Sequence, residues 1–294
     1  RVGPSTKAIS KQLIPLADKP IIFYSLSILM LLNIREILII IKKEDYSSFK
    51  KLLGNGKNFG IKIKYAIQKK PRGLPDAFLI GKKFIENNRV ALILGDNFFH
   101  GQGLVEFLTN SLENFNYGAN IFAYNVKNPS AYGVIEENAK NIKIKEKPKK
   151  TKSRKAITGL YFFDKNVSEY SSKLKKSKRG ELEIIDLLKI YLKNKKLVIN
   201  ELGRGSAWLD TGTSKDILKA GNYVEIIEER QNQKIGCLEE IAFRKKWISK
   251  KLLKSRIAYY GKNEYSDYLK EVLNNEAKWV SNVGFGLIPL RKKS

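Results

Sequence analysis

Short apolar runs recur along this chain with helix-length segments between them, and that alternation limits the fold more than any other feature. Glu36 to Ile41, Val90 to Leu94 and Ala119 to Val126 are too short to be core helices and read as strands buried on both faces. Ile61 to Ile67 alternates apolar and polar residues, as a half-exposed strand does. Helical spacing covers about 20–33, 74–87, 103–114, 181–194 and 214–230, and returns from 236 to about 273. Asp18 stands where it would cap the first of these helices. The middle of the chain is richer in strands, over 134–136, 142–146 and 156–163, and Lys143 to Arg154 includes a charge-rich loop. Strands alternating with helices favour an α/β fold with a mixed, mainly parallel, Rossmann-like sheet flanked by helices. We divide the chain into a core over 1–232 and a helical C-terminal region over 233–294, with 274–294 expected to be a disordered tail.

Two acids stand at the lips of apolar runs. Asp96 follows Val90-Ala91-Leu92-Ile93-Leu94-Gly95, and Asp210 closes Ala207-Trp208-Leu209. The carboxyl end of a strand is where open α/β sheets bind ligands. Two carboxylates gathered there repel each other unless a positive group lies between them, and a hard divalent cation suits two acids. That combination points to chemistry on phosphates. Read singly, Asp96 is equally a turn or cap residue and Asp210 equally an Asx turn.

Composition narrows the classes. The net charge of +27 invites a nucleic-acid reading. The excess is mostly lysine, however, it is spread along the whole chain, and no aromatic and basic residues alternate as on a single-strand platform. A dispersed lysine surface is solvated, and its field attracts anionic nucleotides and sugar phosphates. We expect no specific nucleic-acid partner. The lone Cys237 has no intrachain disulfide partner, which fits a reducing compartment, and no apolar stretch has the length and the clean flanks of a membrane span. We expect a cytoplasmic protein.

An ordered set of motifs goes further. The chain opens Arg1-Val2-Gly3-Pro4-Ser5-Thr6-Lys7, followed by Ser10-Lys11-Gln12-Leu13-Ile14-Pro15. Gln68 with Gly73-Leu74, Leu94-Gly95-Asp96-Asn97, Tyr132-Gly133-Val134, Glu146-Lys147-Pro148 and Thr158-Gly159-Leu160-Tyr161 come next. Arg179-Gly180-Glu181-Leu182-Glu183, Trp208-Leu209-Asp210-Thr211-Gly212-Thr213, Cys237-Leu238-Glu239-Glu240-Ile241-Ala242, Tyr265 and Tyr268 complete it. This set resembles sugar-nucleotide pyrophosphorylases, most closely the glucose-1-phosphate thymidylyltransferase family, over nearly all of the chain from Arg1 to about Leu273. The resemblance implies a magnesium-dependent reaction of dTTP with glucose 1-phosphate that gives dTDP-glucose and pyrophosphate, commonly in dTDP-rhamnose synthesis by a homotetramer. It implies roles as well. Asp96 and Asp210 would hold Mg2+, with Asp96 also at the nucleotide. Arg1 and Lys11 would meet the triphosphate, and Gln68, Gly73 and Leu74 the base. Tyr132, Gly133, Glu146 and Ile157 would line the sugar-phosphate site, where Lys147 and Arg179 would clamp the phosphate and act in catalysis. Glycines 73 and 133 also have a plainer reading, as turn residues.

The chain departs from the family in places. The family carries a strand and a Gly-rich loop ahead of the residue that Arg1 resembles. A molecule beginning at Arg1 is expected to turn over weakly and to have an unstable core. Lys69, Lys70, Arg72, Pro75 and Asp76 differ from the residues usual around the base-reading loop, which bears on nucleotide preference more than on the reaction. His100 stands where the family more often has tyrosine and receives no catalytic role, and Cys237 reads as a small buried side chain. Two alternatives stay open: a pyrophosphorylase using UTP or another sugar phosphate, and a non-catalytic relic with non-specific nucleic-acid affinity.

Overall fold

The structure is a computed structural model that describes Gly3, residues 9–138 and residues 141–275. Arg1 and residues 276–294, which include nearly all of the expected tail, lie outside the described residues. The α/β class holds, and the long apolar runs are strands where the sequence placed them: Glu36–Ile41, Lys62–Ile67, Val90–Ile93, Ala119–Asn125, Gly133–Asn138, Asn141–Glu146 and Lys155–Phe163.

The main sheet runs in the order Leu197–Glu201, Ala119–Asn125, Lys155–Phe163, Gly133–Asn138, Asn141–Glu146. Lys155–Phe163 is shared at its two ends. Ala156 pairs with Val134, whereas Leu160 to Phe163 pair antiparallel with Val90 to Ile93. Where those two partner strands diverge, the sheet forks beside Gly159, and the Val90–Ile93 strand delivers Asp96 to the fork. Among the described strands, parallel pairing is confined to Glu36–Ile41 with Lys62–Ile67 and to Leu197–Glu201 with Ala119–Asn125. The sheet is mixed, as expected, but most pairings in it are antiparallel, where the alternation of elements suggested mainly parallel. Direction is not written in an apolar run, because both faces are buried either way.

The helix Ile21–Leu31 is apolar on all sides, and it is buried on all sides. A helix without a polar face belongs in a core rather than on a surface. It joins the cluster built on Phe23, Ile37 and Phe59 to those built on Phe99 and Phe162 and on Leu16 and Phe98. Each buried side chain of this size contributes roughly 1.5–3 kcal/mol relative to exposure. Its Ser25 hydroxyl donates to the carbonyls of Leu94 and Asn97 at 2.9 and 3.0 Å. That fastens the helix to the turn carrying Asp96. The C-terminal helices Leu238–Arg244, Lys250–Tyr260 and Glu264–Asn274 pack into the same core through Leu238, Leu253 and Leu269. No helix among the described residues is long and apolar enough to cross a membrane.

Two local expectations are corrected. Asp18 does not cap the first helix: its N-cap is Pro20, without a side-chain hydrogen bond. Asp18 instead pairs with Lys19 and, at 2.5 Å, with Lys234. Burial would raise its carboxyl, yet those two ammonium groups outweigh burial and hold it below the usual range. The expected helix over 74–87 is broken at Gly81 into Asp76–Ile80 and Lys82–Ile85. The Gly81 amide caps the first piece on Ala77, so the chain can turn there.

Candidate active site

A cavity of about 780 Å³ lies between the Glu36–Ile41 strand and the Val90–Ile93 strand. Much of its lining is apolar, from Ile37 to Ile41 and from Val90 to Leu94. Ser10, Gln12 and Gly95 also line it, as do Gln68, Gly73 and Leu74, which the sequence singled out.

At the fork, Asp96 and Asp210 come together. The Ala207–Asp210 strand pairs antiparallel with Asn97–His100, and Asp210 lies opposite Asn97 in the register. Thr211 ties the two segments further, with its hydroxyl and its amide both donating to the Asp96 carbonyl, at 2.7 and 3.2 Å. Lys11, on a single 3-10 turn over Lys11–Leu13, forms an ion pair with the Asp96 carboxylate. Burial raises the Asp210 carboxyl above its ordinary range, the negative charge of Asp96 raises it further, and Lys11 draws it back. Asp216 and Lys147 act on it in the same two senses. An acid whose ionisation is hindered by a neighbouring carboxylate, and eased by an ammonium group beside it, marks a site that favours added positive charge.

Whether a divalent ion fits can be judged from this donor set. No group of three or more His, Cys, Asp or Glu able to hold a metal occurs among the described residues. That excludes an all-protein cage there. It suits magnesium, which keeps several waters and is bound through one or two carboxylates together with substrate phosphates.

Asn97 sets the aim of Asp96, and the sequence reading gave it no role. Its Oδ1 accepts from the Trp208 indole at 2.7 Å and from the Gly159 amide at 3.1 Å. Its Nδ2 donates to Asp96 Oδ1 at 3.1 Å. The Gly159 backbone passes so close that a Cβ there would collide with the Asn97 carboxamide. The signal in the sequence was the residue type: a carboxamide can accept from two strands through its oxygen and donate to an acid through its nitrogen at once.

The second cluster gathers at the other branch of the fork. Glu146 ends the Asn141–Glu146 strand opposite Gly133. Lys147 follows at φ +40°, its amide donating to the Tyr132 carbonyl at 3.1 Å. Arg179 Nη2 reaches Glu146 at 3.3 Å and Glu183 at 2.7 Å. Burial raises the Glu146 carboxyl and Glu183 raises it further, against the pull of Lys147 and Arg179. Burial acts the same way on Glu183, but hydrogen bonds from Arg179 and Ser177 outweigh it and hold that carboxyl low. Glu183 is a site residue the motif contained without a role; its i,i+4 spacing from Arg179 was the available signal. Tyr132 packs against Trp208 with ring centroids 5.1 Å apart and planes tilted by 59°, and burial and then Asp210 raise its phenol. Lys147 and Tyr132 thus border both clusters, so the crevice is one site. Gly133 has little room for a side chain, since a Cβ would stand 2.7 Å from Ile185 Cδ1. Ile157 is buried to 5 % exposure beneath Gly133, in the floor of this branch.

In the lining of the same cavity, Gln68 follows the Lys62–Ile67 strand and Gly73 sits at φ +96°. A Cβ on Gly73 would collide with the Leu182 carbonyl, and the Leu182 amide donates to Arg72 at 2.8 Å. The Gly73 loop and the Arg179 segment are therefore in contact. Arg1 lies outside the described residues. The His100 ring bonds Tyr223 at 2.9 Å, and Cys237 is buried beside Tyr265.

A sheet forked at paired acids, ringed by cations, is the architecture of an enzyme acting on phosphate esters. The family described as Nucleotidyl transferase matches residues 1–226. The chain is 48% identical over 275 residues to the glucose-1-phosphate thymidylyltransferase of Neisseria meningitidis, covering 93% of this chain and 95% of that protein. It is 46% identical to the enzyme of that name from Mycolicibacterium smegmatis, covering 94% and 96%. A Bacillus anthracis structure assigned as a glucose-1-phosphate thymidylyltransferase, solved with sucrose, superposes with a TM-score of 0.70 at 34% identity, over 76% of this chain and 89% of that one. The chain therefore belongs to the nucleotidyltransferases and, among them, to the glucose-1-phosphate thymidylyltransferase family.

Proposed function

We propose that this enzyme transfers a thymidylyl group from dTTP to glucose 1-phosphate and releases pyrophosphate. The observation that carries the reading is the convergence of Asp96, Asp210, Lys11 and Lys147, from four separate segments, on one crevice. In the proposed mechanism a sugar-phosphate oxygen attacks the α-phosphorus in line, so the task of the protein is positioning and charge stabilisation. Gln68, Gly73 and Leu74 hold the base. Lys11 and Arg1 face the triphosphate. Lys147 and Arg179 hold the sugar phosphate, while Tyr132, Gly133 and Glu146 engage the sugar hydroxyls above the floor made by Ile157. Asp96 and Asp210 would hold Mg2+, which neutralises phosphate charge when bound. By family resemblance the reading extends to a cytoplasmic homo-oligomer, a tetramer, serving dTDP-rhamnose synthesis.

The test is pyrophosphate release from glucose 1-phosphate with dTTP, UTP, dCTP and dATP in turn, with and without magnesium. We expect release with dTTP that stops on chelation. Release with UTP in its place would move the assignment to a UDP-sugar pyrophosphorylase. Release with none of them, together with salt-sensitive RNA binding, would sink the enzyme reading altogether.

A further inference from the structure

Asp76 is a carboxylate with 0% exposure, one layer behind the cavity wall that Gln68 forms. Gln68 Nε2 donates to Asp76 Oδ2 at 2.9 Å, and Arg72 Nη2 lies 2.7 Å from Asp76 Oδ1. A carboxylate paired with a guanidinium offers only acceptors. The Gln68 amide therefore has one favourable orientation, with its NH2 toward Asp76. Its Oε1 is left without a protein donor among the described residues, on a side chain that lines the cavity.

We infer that Asp76 is a positioning residue that selects the nucleobase by locking the Gln68 carboxamide with its acceptor toward the ligand. This rests on the proposed base-binding role of Gln68. A locked acceptor matches the N3–H of thymine or uracil. It meets a lone pair on N3 of cytosine and on N1 of adenine. A free carboxamide would rotate and donate to those bases instead. Leaving buried polar groups unpaired is how a site rejects a near-isosteric ligand strongly. The lock does not distinguish thymine from uracil, which share the imide. A plainer role exists for an acid in the first turn of the Asp76–Ile80 helix, where it complements the helix dipole. That role would affect stability without changing the base preference.

The test is equilibrium binding of dTTP and dCTP, each with magnesium, to the full chain and to its Asp76→Asn and Gln68→Ala variants, with melting temperatures measured alongside. We expect the parent to favour dTTP by at least about tenfold, roughly the value of one well-made hydrogen bond. Asp76→Asn, which keeps the shape but can donate, should bring the two affinities within about threefold of each other, mainly by tightening dCTP. Should the Asn variant not fold, Asp76→Ser removes the same acceptor-only partner. An unchanged dTTP:dCTP ratio in the folded Asp76 variant, with the ratio collapsed in Gln68→Ala, would overturn the lock and leave the base site standing. A Gln68→Ala variant that binds both nucleotides as the parent does would remove Gln68 from the base site, and the lock with it.

Discussion

Asp210 and Glu239 are carboxylates at two ends of the same molecule, and their surroundings are opposites. Glu239 has no exposure and is fully engaged: Arg256 donates to it at 3.2 Å, Tyr260 at 2.6 Å and Tyr265 at 2.7 Å. Burial holds both tyrosine phenols high, so they remain donors. Asp210 has a like charge for a neighbour and must share its cations with Asp96. The C-terminal cluster is electrostatically complete, whereas the crevice is left wanting positive charge. A folded chain tolerates such a deficit where a ligand will meet it.

Substitution at the two sites should therefore fail in different ways. The largest effect is expected at Glu239→Gln, which strands the buried Arg256 guanidinium. Removing one partner of a buried pair costs about 3–5 kcal/mol, and urea unfolding should show it. Activity per folded molecule should be retained, and a loss of it would erase the contrast. Next comes Asp210→Asn. Turnover should drop about 10²–10³-fold, on the scale of losing one preorganised electrostatic partner, with the circular dichroism spectrum unchanged. Gly73→Ala forces a Cβ against the Leu182 carbonyl at a positive φ. Strain of order 1–3 kcal/mol should appear in the melt, and KM should rise for both substrates because the two loops touch there. Arg179→Lys keeps the charge and loses the planar fork that spans Glu146 and Glu183. The group is half exposed, so solvent screens it, and a roughly tenfold rise in KM for glucose 1-phosphate, about 1.4 kcal/mol, is the expected upper end.

The smallest effect concerns pH. The folded protein holds the Asp210 proton above the pH at which the unfolded chain releases it. Stability from this group is therefore full in acid, below the ordinary aspartate value, and falls as pH rises through the raised one. Asp210→Asn removes that loss. Without magnesium the variant should melt slightly higher than the parent at neutral pH, by about 2–4 °C at most, and the two should converge in acid. A lower melt for the variant at neutral pH would mean that Asp210 is as well satisfied as Glu239.

Much of this was legible in the chain. The strands could be read because β-rich apolar runs have a length that helices do not, and Asp96 and Asp210 stood at their ends. The buried helix Ile21–Leu31 was legible as a helix and not in its depth, since a helix apolar all round needs neighbours that only the fold supplies. Strand direction was not legible, and neither was the fork in Lys155–Phe163, because one strand edge shared by two partners leaves no pattern in sequence. Asp18 misled because its partner Lys234 is more than two hundred positions away. Glu183 and Asn97 were in view as letters; their roles needed the third dimension, where Glu146 and Trp208 arrive from elsewhere.

Gly159 carries one last lesson. Nothing about it is chemically reactive, yet its bare backbone is the seat on which the Asn97 carboxamide rests while steering a neighbouring acid. Even a methyl group at that position would have to evict the amide, and the acid would lose its bearing although every reactive side chain survived. Mutational tolerance in this enzyme is thus narrow even at a place where the chain contributes no side chain at all.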